Sequence, residues 1–331
     1  MLRIKSIRYS EKCGKMPRPS LQKILISRTD AIGDVCLTLP VCMALKKQFP
    51  AAQLVYLCRK YTAPVVACFE PIDGILLFEE LEALSKEERQ AQLKGFSAVL
   101  HLFPNQIIGQ WCKEARIPLR VGTAHRLHHW MTCNLLPWFS RKRSDLHEAQ
   151  LNFHLAKAIG IKQIPSWEEI QPGTAFRAEL DTFPLDLNAN AQQNRILIHP
   201  KSNGSGVEYP MEKYAALALM LAEKGYQIYF TGTRQEGELF AAQIPRHPAI
   251  QNAAGLWTLH EFITVIAQSK ALIACSTGPY HLAGLCQIQA IGLFTERRPI
   301  HPGRWKALGP NSKALTEILE LTPQQICDAI E

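Results

Sequence analysis

The loop after the first apolar run of the chain contains the residue best suited to remove a proton. The run Lys23–Ser27 predicts a buried strand, and residues 28–34 (RTDAIGD) follow it. Gly33 allows a tight turn from strand to helix, so Asp34 falls at the helix start. There its carboxylate could accept a proton from an attacking hydroxyl group. Aspartate also caps helices well, so a purely structural N-cap is the alternative.

A second loop has the composition of an anion-binding site. Residues 275–281 (CSTGPYH) lie between a predicted strand and a predicted helix. Small residues let backbone N–H groups approach a ligand, and a helix N-terminus favours negative charge, which suits a pyrophosphate. An ordinary helix start is the alternative.

Two further loops follow predicted strands in the second half of the chain. Residues 199–206 (HPKSNGSG) offer Lys201, Ser202 and two glycines for phosphate contacts, although they lack the G-K-[ST] of a Walker A loop. In residues 231–236 (TGTRQE), Glu236 could bind the hydroxyl groups of a ribose. A flexible turn and a solvated glutamate are the respective alternatives.

Basic residues near predicted strand ends suggest contacts with an anionic acceptor. Arg59, Lys60 and Arg120 belong to the first half of the chain, and we expect them to contact sugars or phosphates there. Arg304, in the arginine-rich segment 297–305, is predicted to contact phosphate or carboxylate groups of a substrate.

The elements that must position these residues alternate between strand and helix. Such alternation predicts an α/β fold with parallel sheets and a ligand cleft at the carboxyl ends of the strands. The predicted order is a flexible basic extension (1–20), a Rossmann-like domain (21–165), a linker (166–193), a second Rossmann-like domain (194–315) and a C-terminal helix (316–331).

Bulk composition narrows the class of protein. The 37 Lys and Arg exceed the 29 Asp and Glu and give a net charge of +8, but the charge is spread along the chain, which argues against a nucleic-acid-binding arm. The ten cysteines form no C-x-x-C pair, and the three histidines of segment 125–130 give no metal-ligand pattern, so no metal is expected.

No apolar run reaches the roughly 18 residues of a membrane span, and the first twenty residues lack the apolar region of a signal peptide. We therefore expect a cytoplasmic protein, with peripheral contact at the inner membrane left open.

Taken together, these motifs resemble those of glycosyltransferase family 9, the lipopolysaccharide heptosyltransferases. Residues 28–40 (R-x-x-x-I-G-D-x-x-x-T-L-P) and 276–283 (S-T-G-P-Y-H-L-A) carry most of the resemblance, which extends over about residues 22–310. Arg120-Val121-Gly122 and residues 255–259 add to it. The resemblance implies a GT-B fold, in which two Rossmann-like domains with parallel sheets face each other across a cleft.

The resemblance also implies roles. It implies an inverting, metal-independent enzyme with no cofactor, which moves a heptose or a related sugar from ADP-heptose to a lipopolysaccharide core acceptor. The first domain would bind the acceptor and supply Asp34 as the base, and the second would bind the nucleotide sugar. Donor contacts are expected from Lys201, Ser202, Glu236, Trp257, Ser276, Thr277, Gly278, Pro279 and His281.

Two departures from the family pattern bear on the donor. The family usually has Asp where this chain has Ser276, and often Lys-x-Trp-Pro where it has residues 207–210 (VEYP). Lys201 or Arg304 could replace the missing lysine. Two alternatives therefore stay open, a non-catalytic nucleotide-sugar-binding member and a GT-B sugar-nucleotide epimerase. An NAD-dependent enzyme is disfavoured because the first loop lacks G-x-G-x-x-G.

Overall fold

A computed structural model describes residues 21–141, 143–178, 194–204 and 206–330 of the chain. They form two parallel sheets, one in each half of the sequence. The first sheet has the strand order β3-β2-β1-β4-β5. Its strands are β1 (Lys23–Ser27), β2 (Gln53–Cys58), β3 (Gly74–Leu77), β4 (Ala98–His101) and β5 (Leu119–Val121).

The second sheet repeats this order and adds a strand, giving β11-β10-β9-β6-β7-β8. Its strands are β6 (Arg195–His199), β7 (Gln227–Phe230), β8 (Ile250–Asn252), β9 (Ala271–Cys275), β10 (Gln289–Leu293) and β11 (Ser312–Leu315). In both sheets the order reverses beside the first strand, between β1 and β4 and between β6 and β9. Ligands bind in the crevice outside the strand ends at such a reversal, so the loops after β1, β6 and β9 are the ones placed to bind.

Helices cover both faces of each sheet, and the sequence of β1 shows why. Ile24 and Ile26 pack into one apolar cluster and Leu25 into another, so the strand is buried on both sides. The helices are α1 (Ile32–Cys36), α2 (Leu39–Gln48), α3 (Ala63–Ala67), α4 (Phe78–Ala83), α5 (Lys86–Leu93), α6 (Gln106–Glu114), α7 (Leu127–Thr132), α8 (Glu148–Leu151), α9 (Phe153–Ala156), α10 (Met211–Glu223), α11 (Arg234–Phe240), α12 (Leu259–Ala267), α13 (Gly278–Leu285), α14 (Pro302–Trp305) and α15 (Pro323–Asp328). None of the described helices is long and apolar enough to cross a membrane.

The two halves meet along an apolar interface. One continuous core cluster contains residues of both halves, and within it α3 packs against α12. Closer to the cleft, α1 contacts α13, and this contact depends on two glycines. A Cβ atom on Gly33 would lie 2.7 Å from His281 Cδ2, and one on Gly278 would lie 2.9 Å from Ile32 Cβ. The absence of both side chains lets the two helix N-termini approach each other.

The C-terminal helix occupies part of the predicted segment. The sequence predicted a helix over 316–331, with Thr322 and Pro323 as an alternative cap and first residue. The helix α15 has this alternative start at Pro323, because Thr322 caps it through a capping box with Gln325. It packs on α10 of the second half. Strands β5, β8 and β11 were not predicted from the sequence, because none of them is a continuous apolar run (LRV, IQN and SKAL).

The predicted linker begins as part of the first half. Phe176 forms an isolated antiparallel bridge with Phe69, and Ile170 and Phe176 are buried in the core. Residues 179–193 of the linker and the predicted extension at 1–20 lie outside the described residues. The domain boundaries remain predictions.

Candidate active site

A cavity of about 920 Å³ lies between the two halves, at the carboxyl ends of the strands. The start of α1 lines it from the first half, and the loops after β6, β7 and β9 line it from the second. Most of the predicted site residues therefore meet in one place. Those that line the cavity are Asp34, Lys201, Ser202, Glu236, Trp257, Ser276, Thr277, Gly278, Pro279, His281 and Arg304.

A buried arginine holds Asp34 in position. Arg28 Nε and Nη2 donate to the two carboxylate oxygens of Asp30 at 2.7 and 2.9 Å, and Nη2 also donates to Asp34 Oδ1. Arg28 Nη1 lies 3.4 Å from both the carbonyl of Leu102 and Asn152 Oδ1. The guanidinium thus ties both carboxylates of the first loop to the core of the first half.

Asp34 does not cap its helix. The N-cap of α1 is Ala31, no side chain caps this helix, and the Asp34 carboxylate bonds to Arg28 instead. The interpretation of Asp34 as an N-cap is therefore wrong. Burial raises the pKa of Asp34, the charge of Arg28 opposes that rise, and the negative charge of Asp30 adds to it. A carboxylate with a raised pKa is a stronger base than an ordinary aspartate.

A second ion-pair group joins the two halves at the edge of the cavity. Glu148, which is buried in the first half, pairs with Arg141 through Oε1 and with Arg304 of the second half through Oε2, at 2.8 Å from Nη2. Next to it, His147 Nε2 lies 2.8 Å from the carbonyl of Lys306, and its Nδ1 accepts the hydrogen bond that caps α8. Burial lowers the pKa of His147 to about 4, so the ring is neutral and Nε2 carries the proton.

The loop before α13 presents donors to the cavity. Thr277 is the N-cap of α13, but its side chain makes no cap, and its buried Oγ1 has no partner among the described residues. The first turn of a helix also leaves backbone N–H groups without partners inside the helix. His281 lies against Gly33 across the interface, and burial lowers its pKa to about 3, so this ring is neutral.

The lysine predicted to contact phosphate is already paired. Lys201 Nζ lies 2.9 Å from Glu208 Oε2, and the other oxygen of Glu208 accepts from the Ser202 backbone N–H at 2.9 Å. Ser202 Oγ donates to the carbonyl of Gly206 at 2.9 Å. Glu208 thus organises the loop after β6, and it neutralises the charge that Lys201 brings to the cavity.

Glu236 has a structural contact in addition to its place in the cavity. Its Oε2 accepts from the Thr233 backbone N–H at 2.7 Å, and Thr233 Oγ1 accepts from the Glu236 N–H, which forms a capping box at the start of α11. Beside it, His199 Nδ1 lies 3.0 Å from Thr231 Oγ1. Burial lowers the pKa of His199 to about 4.

Aromatic side chains contribute part of the cavity wall. Trp257 and Phe262 stack with ring centroids 6.2 Å apart and planes inclined by 8°. Tyr61, from the first half, donates to the carbonyl of Asp30 at 2.7 Å, and Trp305 donates to the carbonyl of Pro299 at 2.9 Å. A flat apolar surface of this kind suits a nucleobase.

Three residues predicted to bind the acceptor do not line the cavity. Arg120 donates to the carbonyls of Ile117 at 2.5 Å and Thr132 at 2.7 Å, so its guanidinium fastens the chain around β5. Arg59 is exposed, but its Nε donates to the carbonyl of Thr29 at 3.1 Å. Lys60 is exposed beside it. The structure therefore places all three outside the lining of this cavity, with Arg59 and Lys60 at the surface next to the loop after β1, and their contact with an acceptor stays a prediction.

The sequence interpretation missed several residues of the site. Arg28 lies inside the first motif, where it is the only basic side chain beside two aspartates, and this could have indicated an ion pair. Arg141 and Glu148 belong to no local pattern, and tertiary contacts alone bring them to the edge of the cleft. His199 opens the loop after β6 that the sequence had singled out, but no role was assigned to it. In the described part of the chain, no group of three or more His, Cys, Asp or Glu side chains could hold a metal ion.

Comparison with known proteins places the chain in a family. The family model described as glycosyltransferase family 9 (heptosyltransferase) matches residues 117–328. Lipopolysaccharide heptosyltransferase 3 of Escherichia coli is 24% identical over 285 residues, which are 79% of this chain and 80% of that protein. The structure of E. coli ADP-heptose lps heptosyltransferase II has a TM-score of 0.72 at 16% identity and covers 93% of this chain and 97% of its own.

E. coli heptosyltransferase WaaC with ADP has a TM-score of 0.68 at 17% identity and covers 93% of this chain and 98% of its own. These likenesses confirm the predicted GT-B arrangement of two parallel-sheet domains. Because the family model covers most of the chain, the protein belongs to glycosyltransferase family 9, the heptosyltransferase family, and is a glycosyltransferase.

Proposed function

We propose that this enzyme transfers a heptose from ADP-heptose to a lipopolysaccharide core acceptor, in a single displacement that inverts the anomeric carbon and needs no metal ion. One observation carries the proposal: a single cavity brings Asp34 from the first half together with every predicted donor-contact residue from the second. The relatives named for lipopolysaccharide heptosyl transfer, and the neighbour bound to ADP, support this choice of substrates.

In the proposed reaction, Asp34 takes the proton of an acceptor hydroxyl group as its oxygen attacks the anomeric carbon of the heptose. The new C–O bond forms as the bond from that carbon to the diphosphate oxygen breaks, and ADP leaves with the electron pair. Arg28 holds the carboxylate in place throughout. Arg28 also donates to Asp30, so only part of its positive charge acts on Asp34. The pKa of Asp34 therefore stays above its ordinary value.

The departing diphosphate gains negative charge, and the second half offers groups that stabilise it. The Thr277 hydroxyl and the N-terminus of α13 supply oriented dipoles at the cavity wall. Lys201 supplies a positive charge if the diphosphate displaces Glu208 from it. The ion pair between Glu148 and Arg304 would hold the two halves at a fixed distance, so that the acceptor and the donor sugar stay aligned for the displacement.

The first experiment is calorimetric titration of the purified protein with ADP-heptose, other ADP-sugars and UDP-sugars, each with and without a chelator. We expect ADP-heptose to bind most tightly and equally well in the presence of the chelator. A preference for another nucleotide sugar would overturn the proposed donor, and loss of binding in chelator would overturn metal independence.

A turnover assay on the same preparation, with and without an acceptor, distinguishes the alternatives left open by the two departures. Turnover with a lipopolysaccharide core acceptor is expected for a transferase, while binding without turnover across acceptors would indicate a non-catalytic member. Consumption of the donor with no acceptor present would indicate an epimerase. Ser276→Asp restores the carboxylate usual in the family, and a change in donor preference in this variant would locate the determinant of sugar choice.

A further inference from the structure

Helix α7 has its apolar face turned outward. Leu127, Trp130 and Met131 lie at helical positions i, i+3 and i+4, and they are 85%, 58% and 63% exposed. The opposite face carries His129 and Thr132, which are buried. An amphipathic helix of a soluble domain normally buries its apolar side, so this orientation needs another explanation.

The exposed side chains sit on a well-braced segment. Trp130 Nε1 donates to the carbonyl of Ala124 at 2.9 Å, and Trp138, which is 74% exposed, packs its ring 4.4 Å from that of His125. The backbone N–H of Gly122 donates to the carbonyl of Leu135 at 3.0 Å. These contacts hold the aromatic rings outward in fixed positions.

The apolar surface continues onto the neighbouring helix. Ile107 of α6 is also exposed, and a cavity of about 820 Å³ opens between α6 and α7, lined in part by Ile107, Trp111 and Met131. We define the docking face as the exposed apolar side chains of this region, namely Ile107, Leu127, Trp130, Met131 and Trp138.

The surroundings of the docking face are basic. From residue 115 to residue 144 the sequence contains no Asp or Glu, and three of its arginines, Arg116, Arg126 and Arg143, are not engaged in the inward contacts that hold Arg120 and Arg141. Arg116, Arg126 and Arg143 are exposed, as is Lys113. Arg126 and Arg143 form no ion pair with any described residue.

The docking face also lies on the reacting side of the molecule. Its cavity is lined by Phe103 and Asn105, which follow β4, and α7 follows β5. Both strands run parallel to β1, whose carboxyl end carries Asp34. The docking face and the catalytic loop therefore share one edge of the first sheet.

We propose that the docking face inserts into the interfacial region of an anionic lipid bilayer. Exposed Trp, Leu and Met side chains suit the boundary between headgroups and acyl chains, and unpaired arginines around them suit anionic headgroups. A protein partner would be expected to supply acidic residues, whereas a bilayer supplies both the negative surface and the apolar layer. This inference goes beyond the transfer reaction, because it does not depend on which donor or acceptor is used.

The test is flotation of the full-length protein with vesicles of phosphatidylcholine alone or with added phosphatidylglycerol. We expect binding to the anionic vesicles, weakening as salt is added, and a blue shift of tryptophan fluorescence on binding. Leu127→Glu with Met131→Glu should reduce the partition coefficient by about tenfold or more. Leu239→Glu with Leu319→Glu is the matched control, since these leucines of the second half are 69% and 60% exposed and the change in net charge is the same.

Several outcomes would overturn the inference: no binding of the wild-type protein to anionic vesicles, equal binding by the docking-face variant, or equal loss in the control. Concentration-dependent dimerisation that the docking-face variant abolishes would instead identify a second copy as the occupant. Nucleotide-sugar binding and thermal unfolding of both variants verify folding, and unchanged donor binding separates this result from any failure of the proposed transfer reaction.

Discussion

The two halves of the molecule build their shares of the cleft from different kinds of group. The first half presents full charges in buried or half-buried ion pairs, with Arg28 joined to Asp30 and Asp34. The second half presents dipoles, from Thr277 and the N-terminus of α13, together with charged side chains that include Arg234 and Glu236. Of its charged groups, Lys201 in the loop after β6 is neutralised by Glu208, and Arg304 is paired with Glu148 of the first half.

This difference matches the two tasks of a displacement reaction. A base must keep one position and a tuned pKa, and a buried arginine provides both. A leaving diphosphate arrives charged and gains more charge, so fixed dipoles can stabilise it without first giving up a counter-ion. The comparison predicts that substitutions in the first half act on kcat, while those in the second half act on donor affinity.

The largest expected effect comes from Asp34→Asn. The amide cannot accept the acceptor's proton, so we expect kcat to fall roughly 10²–10⁴-fold while the Kd for ADP-heptose changes little. Steady-state kinetics and calorimetry on the same preparation measure the two quantities.

The control for this change is Asp145→Asn. Asp145 is an exposed aspartate that also pairs with an arginine, at 2.5 Å from Arg298, and its loss should alter kcat by less than about twofold. Retention of full activity by Asp34→Asn would refute the assignment of the base, and an equal loss of donor affinity would erase the distinction between the halves.

A smaller effect is expected from Glu208→Gln. The amide oxygen can still accept from Ser202, but the charge on Lys201 is released toward the cavity. Because the Lys201–Glu208 pair is partly exposed, its loss should make the free energy of nucleotide-sugar binding more favourable by at most about 1 kcal/mol. This corresponds to a roughly two- to fivefold lower Kd for the nucleotide sugar.

Calorimetry with ADP-heptose and with ADP measures this gain. Glu212→Gln, which removes an exposed carboxylate from the first turn of the neighbouring α10, should leave Kd unchanged. Weaker binding by Glu208→Gln would mean that the carboxylate is needed to shape the loop and that Lys201 does not contact the donor.

The strands of the two sheets differ in how well they could be predicted from the sequence. Strand β1 was predicted with its observed bounds, and strands were predicted directly before the loops that follow β6 and β9, because each is a continuous apolar run that is buried in the structure. Short strands such as β5 have too few residues to show a pattern. The loops that follow β1, β6 and β9 were therefore located correctly, and the residues predicted to contact the donor line the cavity.

Side-chain partners were less predictable. The spacing around Asp34 fitted a helix cap as well as a base, and the structure excludes the cap, because Ala31 is the N-cap and Asp34 bonds to Arg28 instead. Arg120 was expected at the acceptor because of its charge, but it is held by backbone carbonyls. Glu148 is 156 residues away from Arg304 in sequence, so no local pattern could have indicated their pairing.

The smallest expected effect is a shift in pH dependence, and it tests how the first half tunes its base. Asp34 can act only when ionised, so kcat/KM should fall as the pH decreases through its pKa, which burial and Asp30 raise above the ordinary value of about 3.9. Asp30→Asn removes one cause of that rise and leaves Arg28 free to favour the ionised form of Asp34. Both changes lower the pKa of Asp34, so the acidic limb of the profile should move to lower pH. Steady-state measurement of kcat/KM across pH tests this shift, with Asp145→Asn as the control. An acidic limb that stays in place or moves to higher pH would show that Asp30 does not act on Asp34 through its charge.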